Sequence, residues 1–200
     1  MMLSTDQAQS VSARITQRVK RLPKGQPFSI RRFKEFGTKS AVSKAIARLV
    51  YRGELERVYR GIYMRPKPGR YVARARPNPW QLISLIARQK HLSLQIHGAN
   101  AVRRFGLSTQ MSLIPIYYTN GASRSVFIGK AEVRLIHAAP MVMQCAGTEI
   151  GTAISALFYL GKDGSNPECI AAIKKALRPE ELAKLIACKM PKWMRMALEA

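Results

Sequence analysis

The chain has 200 residues, 47% of them hydrophobic, which suits one large domain or two small ones and excludes a disordered protein. Its 34 lysines and arginines and 11 acidic residues give a net charge of +23, which favours nucleic acid or an acidic partner. No apolar run is long enough to span a membrane, and residues 1–14 lack the apolar core of a signal peptide. We therefore expect a cytoplasmic protein with no membrane partner.

The positive charge is concentrated in the first third of the chain. Residues 1–77 contain 19 lysines and arginines and 4 acidic residues, whereas residues 78–200 contain 15 and 7. The three cysteines, Cys145, Cys169 and Cys188, form no CxxC pair, which argues against a zinc ribbon or a disulfide framework. We expect three ordinary reduced thiols.

The first 36 residues predict two helices separated by a short extended segment. Apolar residues at helical spacing predict a first helix from Asp6 to Leu22, which Pro23 and Gly25 end. Pro27 to Ser29 is predicted to be extended. A short second helix follows from Ile30 to Phe36.

Residues 38–64 predict a third helix and a two-stranded hairpin. Thr38 or Ser40 caps the helix, which runs to about Arg52 and buries Val42, Ile46, Leu49 and Val50. Leu55 and Val58 begin a strand, residues 59–61 turn, and Ile62 to Met64 return. This order of elements is typical of a winged helix-turn-helix, which we assign to residues 1–66.

The third helix and the hairpin tip contain the candidate DNA-binding residues. Small or basic side chains on the outer face of the helix can approach base edges and phosphates. Basic and aromatic side chains at the hairpin tip suit the neighbouring backbone or minor groove. The candidates are Lys39, Ser40, Ser43, Lys44 and Arg48 on the helix, and Arg57, Tyr59 and Arg60 on the hairpin.

Residues 67–78 are predicted to form a basic linker, either a passive spacer or an arm that tracks DNA. Its arginines Arg70, Arg74 and Arg76 extend the candidate basic surface. A mixed α/β C-terminal domain then occupies residues 79–200, so the predicted fold class is α+β. In this domain we predict strands from Leu113 to Tyr118 and from Val126 to Ile136. The predicted helices begin at Pro79, Gly98, Glu149, Pro167 and Pro179, and Trp193 to Leu198 extends the last of them.

No catalytic constellation is evident, so we expect a protein that is not an enzyme and needs no cofactor or metal. The sequence contains no HExxH, GxxxxGK[ST] or GxSxG motif, and its three histidines are scattered. A metal-dependent nuclease is the main catalytic alternative. Glu132, with Arg134 two residues later, faintly resembles a nuclease strand but lacks a partner carboxylate.

The chain resembles the AbiEi-type antitoxin family of bacterial abortive-infection systems over nearly its full length. The resemblance rests on SKAIARLVYRGELERVYRGIY in the first domain and on HGANAVRRFGLS and IPIYYTNGASRSVFIGKAEVRLIHA in the second. It implies a winged helix-turn-helix that binds inverted repeats upstream of its own operon and represses it. It also implies a C-terminal domain that counteracts a nucleotidyltransferase-like toxin, with direct contact not required.

Charge alone suggests four more residues for the second domain: Arg103, Arg104, Arg124 and Lys130. The oligomeric state is expected to be a monomer or a weak dimer that binds DNA cooperatively. The alternatives are a stand-alone transcriptional regulator, an RNA-binding module, a plain interaction protein that docks an acidic partner and, less favoured, the nuclease.

Overall fold

The computed structural model describes residues 10–69, 76–128 and 131–200. Helices and two small sheets make up a mixed α+β architecture, as the fold class predicts. The chain divides into two compact units, one ending at Ile86 and the other beginning at Ala87. None of the helices in the described ranges has the length and apolar character to cross a membrane.

The first unit begins with three helical segments and three strands. In chain order they are α1 (Val11–Lys20), β1 (Pro27–Ser29), a 3₁₀ helix (Ile30–Phe36), α2 (Lys39–Tyr51), β2 (Glu56–Tyr59) and β3 (Ile62–Met64). The strands form an antiparallel sheet in the order β1-β3-β2, with Phe28 opposite Tyr63 and Arg57 also opposite Tyr63. The sheet therefore joins the segment before the 3₁₀ helix to the hairpin after α2.

The core of this unit consists mainly of the apolar residues that the helical spacing predicts, although Val50, which was predicted to be buried, is only partly buried. Ile15 and Val19 of α1 and Ile46 and Leu49 of α2 are almost completely buried, and Phe33 of the 3₁₀ helix lies with them. Burial of each such side chain contributes about 1.5–3 kcal/mol. This packing fixes α1 and the 3₁₀ helix against α2.

Predictions for residues 1–9 and 70–75 lie outside the described residues. The described part of the first predicted helix begins at Val11, because the side chain of Ser10 accepts a hydrogen bond from the Ala13 amide and caps it. The predicted linker covers residues 67–78, half of which are not described, so that boundary stays a prediction. Helix α3 (Pro79–Gln89) begins where expected, with Asn78 capping the Trp80 amide at 2.9 Å, and it continues across the division between the units.

The second unit contains a four-stranded sheet and a group of helices. The remaining elements are β4 (Leu94–Ile96), α4 (Gly98–Arg104), β5 (Ile116–Thr119), β6 (Arg124–Ile128), β7 (Ala131–His137), α5 (Glu149–Gly164), α6 (Pro167–Ala176), α7 (Pro179–Ala187) and α8 (Lys192–Glu199). The strand order is β4-β5-β7-β6, and β5 runs parallel to β7 while the other pairs are antiparallel.

The strand prediction for this unit needs correction. The single strand predicted from Val126 to Ile136 is wrong, since the segment is two antiparallel strands, β6 and β7, with Val126 opposite Val133. The three-residue strand β4 was not predicted. In the sheet, β7 lies between β5 and β6, and β6 is an edge strand.

Helix α5 is the centre of the second hydrophobic core. Ala153, Ile154, Ala156 and Leu157 are buried, and α4, α6, α7 and α8 contribute residues to the same cluster. Gly98 at the start of α4 permits the closest approach, because a Cβ there would lie 2.3 Å from the Cβ of Tyr159. The backbone of α5 leaves helical geometry at Gly161 (φ 68°), so its regular part ends at Leu160.

Candidate nucleic-acid interface

Helix α2 presents an exposed face that contains no carboxylate. Thr38 caps the helix by accepting a hydrogen bond from the Ala41 amide at 3.3 Å. The buried residues Val42, Ala45, Ile46 and Leu49 follow one side of the helix. The opposite side leaves exposed all five residues predicted from the sequence: Lys39, Ser40, Ser43, Lys44 and Arg48. The helix thus offers three cations and two hydroxyls to solvent on one short segment.

Aromatic packing positions the start of this helix. Phe33 makes edge-to-face contacts with Phe28 and Phe36, at centroid distances of 5.8 and 5.7 Å. Gly37 follows directly, and a Cβ at that position would lie 2.8 Å from Cγ2 of Val11. The close approach of α1 to the turn fixes the direction in which α2 leaves it.

The hairpin β2–β3 presents the second group of predicted residues. Arg57 and Arg60 are exposed and Tyr59 is half-buried. The register between the strands shifts between Arg57 and Tyr59, which places an irregularity at the end of β2. Bulges of this kind increase the local twist and redirect side chains. Arg57 and Arg60 therefore lie on either side of this irregularity.

The predicted cations of α2 and the hairpin have no acidic partner among the described residues. Within the described part of the chain, Lys39, Lys44, Arg48, Arg57 and Arg60 form no ion pair. Ion pairs do occur in the second unit, where Arg134 contacts Glu132 at 2.8 Å and Arg178 contacts Glu180 and Glu181. The cations of α2 and the hairpin remain available for an external anion.

Two other basic residues of the first unit have structural roles. The guanidinium of Arg65 donates to the carbonyls of Lys20 and Leu22, each at 2.6 Å, and so satisfies the C-terminal end of α1. Arg14 lies over the ring of Phe36, with 4.9 Å between the guanidinium carbon and the ring centroid. Net charge in the sequence did not distinguish these two arginines from the candidate DNA-binding ones.

Of the candidate basic residues in the second unit, the structure places only Arg103 and Arg104 at one site. Arg103 and Arg104 line a cavity of about 520 Å³ together with Asn100, Ser112 and Tyr117. Arg104 forms an ion pair with Glu149 at the start of α5. Arg124, on β6, is not among the described residues that line this cavity, and Arg76 is exposed. Arg70, Arg74 and Lys130 lie outside the described residues.

Arg124 differs from the other candidates because its guanidinium is turned inward. Its Nε and Nη2 atoms are buried and have no hydrogen-bond partner within the part of the chain that the structure describes. Burial removes these donors from solvent, so we no longer group Arg124 with a solvent-exposed basic surface.

The carboxylates of the second unit are dispersed. Among the described residues, no three His, Cys, Asp or Glu side chains come together in a way that could hold a metal ion. Glu132 accepts hydrogen bonds from Arg134 and Ser125, and these donors lower the pKa of its carboxyl. His97 caps α4 by accepting from the Ala99 amide at 3.4 Å, and burial lowers its pKa, so the ring serves as a neutral cap at neutral pH.

Sequence reasoning did not assign Tyr51 to the interface. This side chain is 94% exposed at the end of α2, four residues after Ala47 and three after Arg48. The signal was present, because Tyr51 falls outside the apolar positions of the helix. An exposed aromatic ring beside cations is a surface on which a nucleobase can stack.

A family model matches residues 14–185, and its description is a family of unknown function, DUF6088. The chain belongs to this family. No curated protein matches the sequence significantly. Among solved structures, the chain is similar to the RV2827C protein from Mycobacterium tuberculosis, with 15% identity, a TM-score of 0.44, and coverage of 96% of this chain and 72% of that chain. A likeness at this level carries no argument about function, and for this DUF6088 member the function has to be argued from its own residues.

Proposed function

We propose that this DUF6088 member is a sequence-specific DNA-binding protein that represses its own operon, and that its first unit is a winged helix-turn-helix. The order α1, β1, 3₁₀ helix, α2 and hairpin, with the sheet order β1-β3-β2, supports the fold assignment. The observation that carries the proposal is the exposed, carboxylate-free face of α2, whose cations make no ion pair among the described residues.

The proposed mechanism needs no catalysis. Helix α2 enters the major groove, where Lys39, Lys44 and Arg48 bind phosphates or guanine acceptors and Ser40 and Ser43 donate to base edges. Arg57 and Arg60 on the hairpin bind the adjacent backbone and displace counterions. Two protomers on inverted repeats upstream of the operon would occlude the promoter.

We further propose that the protein is the antitoxin of a toxin–antitoxin system and counteracts a nucleotidyltransferase-like toxin. This part rests on the resemblance to AbiEi-type antitoxins. It is tested separately, by co-expressing the protein with a nucleotidyltransferase-like protein encoded beside it. Rescue of growth supports the antitoxin role, whereas continued toxicity despite full expression contradicts it.

The DNA-binding proposal is tested by a footprint of the purified protein on the DNA upstream of its own gene, across a salt series. Protection of paired repeats that survives physiological salt is the expected result. Uniform protection that disappears as salt rises would contradict sequence-specific repression, because it would mean that the basic surface binds any polyanion.

An RNA-binding role is the second candidate, and the exposed ring of Tyr51 beside Arg48 is the observation that favours it. Base stacking on such a ring is worth about 1–3 kcal/mol in single-strand recognition. Competition between duplex DNA and single-stranded RNA at equal salt separates the two roles. The RNA role requires that RNA displace the operator and that Tyr51→Ala weaken RNA binding more than duplex binding.

A further inference from the structure

Two of the three free cysteines lie together although 43 positions separate them in the sequence. Cys145 lies between β7 and α5, and Cys188 is the C-terminal cap of α7. Their chain segments are hydrogen-bonded to each other through Gln144 and Lys189, and Cys145 lies close enough to Cys188 to raise the pKa of its thiol. Cys169, on α6, is also a free thiol and is half-buried.

The backbone next to each thiol is held by hydrogen bonds that connect the two segments. The Gln144 amide group donates to the Lys189 carbonyl at 2.7 Å and accepts from the Lys189 amide at 2.9 Å. Arg195 of α8 donates to the carbonyls of Ile186 and Cys188 at 2.8 and 3.2 Å. The neighbours of the two cysteines are thus bonded directly to each other, and Cys188 is anchored from a third element.

Cys145 itself is constrained. Its carbonyl accepts from the amide and hydroxyl of Thr148, at 3.1 and 2.7 Å, and lies against Gly151 of α5. Its φ of 50° is in the left-handed region, which non-glycine residues occupy only where surrounding contacts determine the conformation. These contacts fix the direction of the Cα–Cβ bond of Cys145.

We propose that Cys145 and Cys188 form a modification site, a dithiol that a two-electron oxidant of the peroxide class converts reversibly into an intramolecular disulfide. One sulfur attacks hydrogen peroxide, the O–O bond breaks, and a sulfenic acid and a water molecule form. The second sulfur attacks the sulfenic sulfur, the S–O bond breaks, and a second water molecule leaves. Both thiol protons end in water, the two sulfurs are oxidised by two electrons, and the peroxide is reduced.

The two cysteines have different roles in this reaction. Cys145 is the exposed thiol and meets the oxidant first. Burial and then the neighbouring Cys145 raise the pKa of the Cys188 thiol, which donates to the Lys184 carbonyl at 3.3 Å, so Cys188 is the less accessible thiol and acts as the resolving residue. Cys145 is therefore the attacking residue, because its sulfur is the one that an oxidant in solution can reach.

Oxidation would tie the segment before α5 to the end of α7 and enclose α5, α6 and α7 in one covalent loop. The tied segment carries Thr148, the N-cap of α5, next to Glu149, which holds Arg104. The modification therefore acts at the end of the central helix of this unit and stabilises the unit by constraining its unfolded state.

The experiment oxidises the full-length protein with hydrogen peroxide and counts the remaining thiols, with intact mass and a peptide map of the product. Wild type is expected to lose two of its three thiols, to yield a peptide linking Cys145 with Cys188, and to recover all three on reduction with dithiothreitol. Cys169→Ser, the matched control, should form the same link, while Cys145→Ser and Cys188→Ser should form none. The oxidised wild type should also melt a few degrees higher than the reduced protein.

Gln144→Ala tests whether the positioning of the pair matters, because it keeps both thiols and removes the clamp to Lys189. We expect its disulfide to form several-fold more slowly at equal peroxide. A link that involves Cys169, a product joined between two chains, or oxidation of the wild type to sulfinic acid without a link would each overturn the proposal.

Discussion

At the scale of single residues, exposed and structural arginines in the first unit have different roles. Arg60 projects from the hairpin tip, whereas Arg65, five residues later, holds the C-terminal carbonyls of α1. Although both residues are arginines, we therefore expect the loss of Arg60 to affect DNA binding and the loss of Arg65 to affect stability.

Lys44→Ala and Arg60→Ala should each weaken binding to the operator by roughly tenfold, since a direct contact to DNA is worth about 1–3 kcal/mol. Both side chains are exposed and make no ion pair among the described residues, so we expect unchanged melting temperatures. Fluorescence anisotropy with labelled operator measures the affinity, and Lys175→Ala on α6 is a control exposed to the same degree. An affinity within twofold of wild type for both variants would show that the interface is elsewhere.

Arg65→Ala should instead reduce the free energy of unfolding, by about 1.5–3 kcal/mol, because it removes two charge-assisted hydrogen bonds to backbone carbonyls. Urea denaturation measures the change. Arg65→Lys should restore only part of it, since both bonds come from Nη1, and the lysine ammonium lies one bond closer to the backbone than Nη1 does. Full stability in Arg65→Ala would mean that water replaces the bonds to Lys20 and Leu22 without loss.

At the scale of elements, the helices were more readable from sequence than the strands. The 3₁₀ helix at Ile30–Phe36, the Thr38 cap and the hairpin after α2 depend on neighbours within a few residues, and local patterns predicted them. Strand β4 has three residues and pairs with β5 across more than twenty positions, so no local pattern marks it. The sequence prediction ran through residues 126–136 without a break, although β6 and β7 pair with each other within that segment.

In the candidate site, too, local features could be predicted from the sequence and long-range contacts could not. The exposed face of α2 could be predicted because helical spacing separates buried from exposed positions. The pairing of Arg104 with Glu149, the inward orientation of Arg124 and the proximity of Cys145 to Cys188 depend on tertiary contacts. Spacing carries no information on these contacts.

Thr38→Ala tests how α2 is positioned. Loss of the N-cap should cost about 1 kcal/mol of stability, because the Ala41 amide loses its acceptor, while Thr38→Ser should retain most of it. Thermal unfolding of both variants gives the comparison. If α2 is the recognition helix, Thr38→Ala should also weaken operator binding modestly, through fraying of the turn that carries Lys39 and Ser40. Equal stability of the Ala and Ser variants would show that the hydrogen bond from the Ala41 amide to Thr38 does not stabilise α2.

At the scale of the whole molecule, the net charge of +23 makes affinity for DNA depend on salt. If Lys39, Lys44, Arg48, Arg57 and Arg60 each neutralise one phosphate, the logarithm of the affinity should fall against the logarithm of salt with a slope of roughly −4.5. Titrations at four salt concentrations measure this slope. Lys44→Ala should make it shallower by about 1, and a slope near zero would exclude binding dominated by phosphate contacts.

The parallel pairing of β5 with β7 has a consequence for how the second unit assembles. The hairpin β6–β7 joins residues close in sequence, so little loop entropy opposes its formation. Ile116 of β5 pairs with Arg134 of β7, which lies 18 positions further along the sequence. Strand β4 is connected to the sheet only through its pairing with β5. Contacts of this range form slowly.

We therefore expect pulsed amide exchange during refolding to protect Val126 and Val133 before Tyr118 and Gln95. Simultaneous protection of all four amides would mean that the sheet forms in one step. In the expected order, β7 is paired on one side only for part of the folding time, and its other edge stays open to any extended chain that reaches it before β5 does.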